Sequence, residues 1–239
     1  MRQNHMSYTM MPSMRSVQEF PQVLTGTCAE IPVDTRSVPR SWHAIKRGMD
    51  MVIAASALIL AAPILLPALA AIVLISPGPP IFAQTRVGKN GRRFRMFKLR
   101  TMIVGAHLRH QEFKKYSEVA GPVFKMRKDP RLHLLGGFLR RWSIDELPNL
   151  VNVLRGEMSI VGPRPPIPCE VEDYDAFAMR RLSVKPGITC LWQVSGRSNV
   201  SFDEWMRLDN EYVDTWSPRL DCAILLRTIP AVLTGDGAH

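Results

Sequence analysis

The sequence predicts an α+β, mainly helical fold carrying a Pro-kinked, re-entrant N-terminal membrane helix, and three observations lead there. Met51–Ile75 carries no charged residue, and about twenty consecutive apolar residues are enough for a bilayer helix. Strand-like runs are few and short: Ile81–Thr85, Arg93–Leu99, Met158–Val161 and Ile188–Val194. The remaining apolar residues recur mostly at helical spacing. The chain of 239 residues divides into a polar tail over 1–42, a membrane-inserted kinked helix over 43–78, and a globular domain with interfacial helices over 79–239.

The tail is rich in Met, Pro, Ser and Thr and lacks helical periodicity, so it is expected to be mobile. The apolar run begins too far from the N-terminus for a signal peptide. Pro63 and Pro67 sit at its middle, where a helix loses hydrogen bonds and must bend. Its flanks are both basic: Arg36, Arg40, Lys46 and Arg47 before it, and Arg86, Lys89, Arg92, Arg93 and Arg95 after it. A crossing helix concentrates positive charge on one side. Matching flanks therefore predict that both ends return to one face, with a single span as the alternative.

Ser76–Pro80 reads as a turn, and Lys89-Asn90-Gly91 joins the first two strands as a hairpin. The second strand breaks alternation near Met96–Phe97, which predicts a bulge. Gly88 and Gly91 among basic residues suit either a phosphate cradle or a turn lying on anionic lipid. Val104–Tyr116 reads as a basic surface helix, Asp129-Pro130-Arg131 as a turn, and Leu134–Trp142 as a short helix.

That short helix leads into WSIDELPNLVNVLRGEMSIVGPRP, residues 142–165. Leu147, Leu150, Val151 and Leu154 form one helical stripe that stops at Gly156. Asp145 and Glu146 stand where this helix begins. The structural explanation is a cap. Ser143 and Glu146 fit a capping box, but Pro148 then falls inside the helix; with Asp145 as N-cap, Pro148 falls where no donor is needed. The functional explanation is a pair of carboxylates beside Arg140 and Arg141, whose charge lowers the Asp145 pKa and keeps it able to attack. The Gly-Pro-Arg-Pro-Pro loop presents Arg164 from a stiff backbone.

Glu170–Ser183 reads as a helix with a solvated charged face. Lys185-Pro186-Gly187 turns into the last strand, which ends at Ser195-Gly196-Arg197. Ser201 and Glu204 form a second capping box, here structural, for a helix that buries Trp205, Leu208 and Tyr212 with Asp209 just off that line. Ser217-Pro218 breaks the chain before an apolar helix over Arg219–Leu233, suited to lying on the membrane. Cys28, Cys169, Cys190 and Cys222 are scattered, giving neither a zinc framework nor a disulfide pattern. The net charge of +10 points to anionic partners. A membrane-tethered basic regulatory or nucleic-acid-binding protein is the competing class. The cations, however, are spread among Pro/Gly turns, with no recognition helix or stacking platform, so no nucleic acid is expected.

Taken together, Lys46–Asp50, Arg86–Met102, Asp129–Arg131, Leu139–Pro165, Lys185–Arg197 and Ser201–Trp216 resemble the bacterial sugar transferases that are monotopic polyprenyl-phosphate phosphoglycosyl transferases, of the compact exopolysaccharide-initiating type. The resemblance covers about Lys46 to the C-terminus. It implies a catalytic domain at the cytoplasmic face of the bacterial inner membrane. The implied reaction transfers a sugar-1-phosphate from a UDP-sugar to undecaprenyl phosphate, releasing UMP, with ping-pong kinetics through an aspartyl-phosphosugar. By position, Asp145 would be the nucleophile and Glu146 the holder of Mg²⁺. Lys98, Arg140, Arg164, Arg197 and Asp209 would serve substrate binding. Membrane lipid is an implied partner, a homodimer is left open, and galactose, glucose and N-acetylated sugars all remain as the transferred group. Two positions depart from the family pattern: Ala62 precedes Pro63 where Ser is frequent, and Cys190 stands where Gly is usual.

Overall fold

The computed structural model describes residues 38–106, 113, 126, 129–196 and 200–234. Residues 1–37 of the predicted tail lie outside that set. Helix α1, Arg40–Ile75, already includes the last residues assigned to the tail. Trp42 is held edge-on to Trp216 at 6.3 Å.

Over 36 residues, α1 extends about 54 Å at 1.5 Å per residue, and by length and composition it is able to cross a membrane. Its two ends are nevertheless fixed to the same body. Near the N-terminal end, Lys46 Nζ donates to Asp221 Oδ2 at 2.6 Å and to the Val161 carbonyl at 3.0 Å. Arg47 donates to the carbonyls of Val153 and Leu154 at 2.7 and 2.9 Å. Buried Asp50 accepts from the Ser159 hydroxyl and the Ile160 N–H, both at 2.9 Å. Near the other end Ile72 is fully buried with Leu99 and Leu139, and Leu65, Ala68 and Leu69 pack on the same cluster. Arg100 donates to the carbonyls of Ser76, Pro77 and Gly78 just beyond the helix. Between the two anchorages lie Pro63 and Pro67, with Ile59, Leu60, Ile64 and Leu66 all more than half exposed.

Strands β1 (Ile81–Val87) and β2 (Arg93–Leu99) form an antiparallel hairpin in unbroken register from Ile81↔Leu99 to Val87↔Arg93. The turn holds Asn90 at φ 55°, a left-handed conformation that Asn tolerates. The expected bulge is absent. Alternation fails for a chemical reason: Phe94, Met96 and Lys98 share one face, and Lys98 turns a cation inward while Leu99 is buried on the other side. The free edge of β2 is satisfied by one side chain. Asn152, fully buried, donates to the Arg95 carbonyl at 2.7 Å and accepts from the Phe97 N–H at 3.1 Å.

Helix α2 (Gly136–Arg141) and helix α3 (Asn149–Arg155) flank a 3-10 turn, Ile144–Glu146. Gly156 ends α3 at φ 80°, as a left-handed C-cap should. The predicted strand follows as β3, Ser159–Val161, which pairs in parallel with β4, Gly187–Thr189. Two expectations between and after these strands fail. The 170–183 helix is broken into α4 (Pro168–Glu172), α5 (Ala176–Met179) and a 3-10 turn, Arg180–Ser183. Asp175 restarts it by accepting from the Ala178 N–H at 2.7 Å. The strand over 188–194 stops at Thr189, and Leu191–Ser195 forms α6. Adjacent Leu191 and Trp192 are both buried, which a helical turn permits and strand alternation does not. The Val104–Tyr116 helix lies largely outside the described residues; Ala106 N–H donates to Ile103 at 3.2 Å in a turn.

Helix α7 (Phe202–Thr215) starts at Ser201, whose hydroxyl accepts from the Glu204 N–H, and α8 runs Pro218–Thr234. Trp205, Met206, Leu208 and Tyr212 of α7 enter the main core with Val153, Met158, Val161, Trp192 and Ile224. The α1 segment from Ile53 to Leu58 packs against that core too.

Candidate active site

Asp145 and Glu146 lie on the 3-10 turn between α2 and α3, and neither is a helix cap. Ser143 has φ 54° and makes no side-chain cap bond, so the capping-box frame is excluded. Ser143 is the left-handed residue that reverses the chain after α2: its N–H donates to Arg140 and its carbonyl accepts from Glu146. For a non-Gly residue that conformation costs about 1 kcal/mol or more, and such strain concentrates at functional sites. Pro148 sits immediately before α3, where its missing N–H costs nothing.

The structure brings Lys98 and Arg164 onto one carboxylate. Lys98 Nζ is 2.7 Å from Glu146 Oε1, and Arg164 reaches the same oxygen at 3.2 Å. Burial works to raise the Glu146 pKa, but these two cations hold it down to about 2. Asp145 moves the other way. Burial pushes its carboxyl up, to about 6, and the Glu146 charge adds to the rise against the pull of Lys98, Arg140 and Arg164. The expectation that neighbouring cations depress Asp145 is thus reversed, because burial and a like charge outweigh them. Asp145 remains ionised in most molecules at neutral pH and is the more basic of the two. Burial also lowers the pKa of Lys98 and Arg140. Arg140 is turned into this region, with Nε 3.1 Å from the Thr101 hydroxyl.

The loop bearing Arg164 is fixed from two sides. Underneath, backbones meet closely: a Cβ on Gly187 would lie 2.1 Å from Gly162 N, and one on Gly162 would lie 2.4 Å from the Lys185 carbonyl. Behind it, Arg181 donates to the Arg164 carbonyl at 2.8 Å and to the Tyr174 hydroxyl at 2.6 Å. Arg181 also pairs with Asp209 at 2.7 Å and lies 5.2 Å from the Trp205 ring. Asp209 therefore does not face the carboxylate pair. It is fully buried and acts through Arg181 on the Arg164 backbone. Sequence reasoning placed Arg181 on a solvated face and missed this role. Only the break in the helix, signalled by Asp175, hinted that the segment folds inward. Arg197 lies outside the described residues.

Among the described residues there is no group of three or more His, Cys, Asp or Glu side chains able to hold a metal ion by themselves. Mg²⁺ does not require one: it keeps several waters and binds through one or two carboxylates together with substrate phosphates. The Asp145–Glu146 pair fits that mode, with Glu146 the more readily ionised member because Lys98 and Arg164 hold its pKa down.

Residues 41–235 match the family model for bacterial sugar transferases, and the chain belongs to that family. It is 49% identical over 162 residues to a galactosyl transferase, CpsE, of Streptococcus agalactiae, covering 67% of this chain and 36% of that protein. It is 39% identical over 213 residues to the exopolysaccharide production protein ExoY of Sinorhizobium fredii, covering 87% and 94%. It is 44% identical over 204 residues to the UDP-glucose:undecaprenyl-phosphate glucose-1-phosphate transferase of Caulobacter vibrioides, covering 81% and 72%. The chain thus spans about a third of the first of these relatives and nearly all of the second.

Proposed function

We propose that this chain transfers a sugar-1-phosphate from a UDP-sugar to undecaprenyl phosphate at the cytoplasmic face of the bacterial inner membrane, opening exopolysaccharide synthesis. The observation that carries the proposal is the divergence of the two adjacent carboxylates, one held ionised by Lys98 and Arg164 and the other left more basic. Two unlike carboxyl environments in one site separate a nucleophile from a charge anchor.

In the first step an Asp145 carboxylate oxygen attacks the sugar-bearing phosphorus. The bond from that phosphorus to the oxygen bridging the two phosphates breaks, and UMP leaves with that oxygen. In the second step a phosphate oxygen of undecaprenyl phosphate attacks the same phosphorus. The aspartyl P–O bond breaks, Asp145 is regenerated, and undecaprenyl-diphosphate-sugar forms. Arg164 and Arg140 would meet the negative charge that spreads over the phosphoryl oxygens. Mg²⁺, bound through Glu146 and the diphosphate, would neutralise charge on the leaving group.

The lipid acceptor requires the site to lie at the bilayer surface. Anchorage of both ends of α1 on one body supports the re-entrant form, since a straight span would carry one end to the opposite face. On α2 and the residues just flanking it, Leu134, Phe138 and Trp142 are exposed at a spacing of four, while Leu135 and Leu139 pack inward. That apolar face lies three residues before Asp145 and suits contact with lipid. The test is UMP release from a panel of UDP-sugars with Mg²⁺ and undecaprenyl phosphate. Asp145→Asn should abolish release while membrane insertion persists. Undiminished UMP release by that variant would remove Asp145 as nucleophile.

A further inference from the structure

Of the four cations gathered at the site, Lys98 and Arg164 are paired with Glu146, and Arg140 faces Asp145. The fourth is Arg86, on β1. Its guanidinium donates to the Pro165 carbonyl at 2.9 Å, and through Nε and the second terminal nitrogen to Gln84 Oε1 at 3.2 and 2.7 Å. These partners are neutral, and among the described residues none of its hydrogen bonds goes to a carboxylate. Next to it, Val87 N–H donates to the Pro166 carbonyl at 2.9 Å, so the end of β1 is stitched to the loop that presents Arg164.

Three of the five guanidinium N–H groups are used by these bonds, leaving two for a ligand. Burial and the neighbouring Arg164 push the Arg86 pKa down to about 10, while Glu170 and Glu146 oppose the fall. A cation kept half-buried beside another cation is an unfavourable arrangement that an oxyanion between them would relieve. Counting Glu170 with Asp145 and Glu146, four cations face three carboxylates, so the site carries excess positive charge before any substrate enters.

We propose that Arg86 is a phosphate-binding residue, forming with Arg164 a two-guanidinium receptor for a phosphate oxyanion of the substrates. The inference rests on the transferase function proposed above and adds a group outside the acidic segment to it. Gln84 and the Pro165 carbonyl fix the plane of the guanidinium, which leaves its remaining donors pre-oriented for oxygen atoms.

The test uses the full chain in lipid nanodiscs with Asp145→Asn, so that no turnover occurs. Binding is measured for UDP, for a short-chain polyprenyl phosphate, and for uridine, which has no phosphate. Adding Arg86→Gln should weaken either UDP or the polyprenyl phosphate by about tenfold or more, the worth of a charge-assisted hydrogen bond, and leave uridine unchanged. The ligand that weakens identifies which phosphate Arg86 holds. Arg86→Lys should recover part of the loss, since it keeps the charge without the fork. Unchanged affinity for both phosphates would overturn the proposal. So would a parallel loss for uridine, which would make Arg86 merely a prop for the Pro165 loop. If the chain with Arg86 intact binds neither phosphate ligand, the transferase function itself falls and this inference with it.

Discussion

Arg181 supports the phosphate loop from inside the core, and replacing it tests that support. It is 2% exposed and contacts Asp209, Tyr174, the Arg164 carbonyl and the Trp205 ring. Arg181→Met keeps most of the volume and removes the charge, leaving the Asp209 carboxylate inside the protein without a cation. Breaking one side of a buried pair costs about 3–5 kcal/mol. For a chain of this size each kcal/mol lowers Tm by about 2–4 °C, so a fall of roughly 6–20 °C is expected. The loss should depend on pH. Burial already holds Asp209 up, to about 6, against the pull of Arg181. Without that pull its pKa rises further, so the proton is taken up on mild acidification and the orphan charge disappears. The deficit should be large at pH 8 and smaller at pH 5. A double variant, Arg181→Met with Asp209→Leu, removes both charges and should recover much of the single-variant loss, because apolar replacements of buried pairs are often neutral. Thermal unfolding of the full chain in detergent, followed by tryptophan fluorescence, reads all three proteins. A Tm within about 2 °C of the parent for Arg181→Met, or simple additivity in the double variant, would refute the reasoning.

Two other outcomes are expected. The rate of UMP release in a single turnover should fall as pH drops through about 6, since burial raises the Asp145 pKa and only the ionised carboxylate attacks; a limb near 4 at constant ionic strength would show that burial does not control it. Gly162→Ala should destabilise the protein by about 1–3 kcal/mol and lower transfer, because its Cβ would meet the Lys185 carbonyl at 2.4 Å. Unaltered unfolding and activity in that variant would mean that the loop is not set by the close contact.

The parts legible in the sequence were those with local causes. The existence of α3, its Gly156 stop, the Asn90-Gly91 hairpin and the Ser201 cap each follow from residues within one or two turns, whereas the face that α3 buries is Asn149, Leu150, Asn152 and Val153 rather than the predicted stripe. The acidic pair, Arg140 and Arg164 stand out from the residues of their own segment and Lys98 through family resemblance alone; the structure sets Lys98 and Arg164 on Glu146 and Arg140 near Asp145. What escaped was long-range. The break in alternation near Met96–Phe97 reads as a bulge because the group that lets Lys98 face inward, Glu146, lies 48 residues away. Arg181 looked solvent-facing because the Asp209 that allows its burial is on another helix. The Asp145 pKa was misjudged from adjacent cations, since burial is a property of the fold rather than of neighbouring letters.

The most direct measurement of the central claim is mass spectrometry of the full chain after brief incubation with a UDP-sugar and Mg²⁺, without polyprenyl phosphate. The expected result is a sugar-phosphate adduct on Asp145, formed in step with UMP and discharged when undecaprenyl phosphate is added. UMP appearing only after the lipid acceptor arrives, with no mass added to Asp145 at any time, would contradict a covalent route.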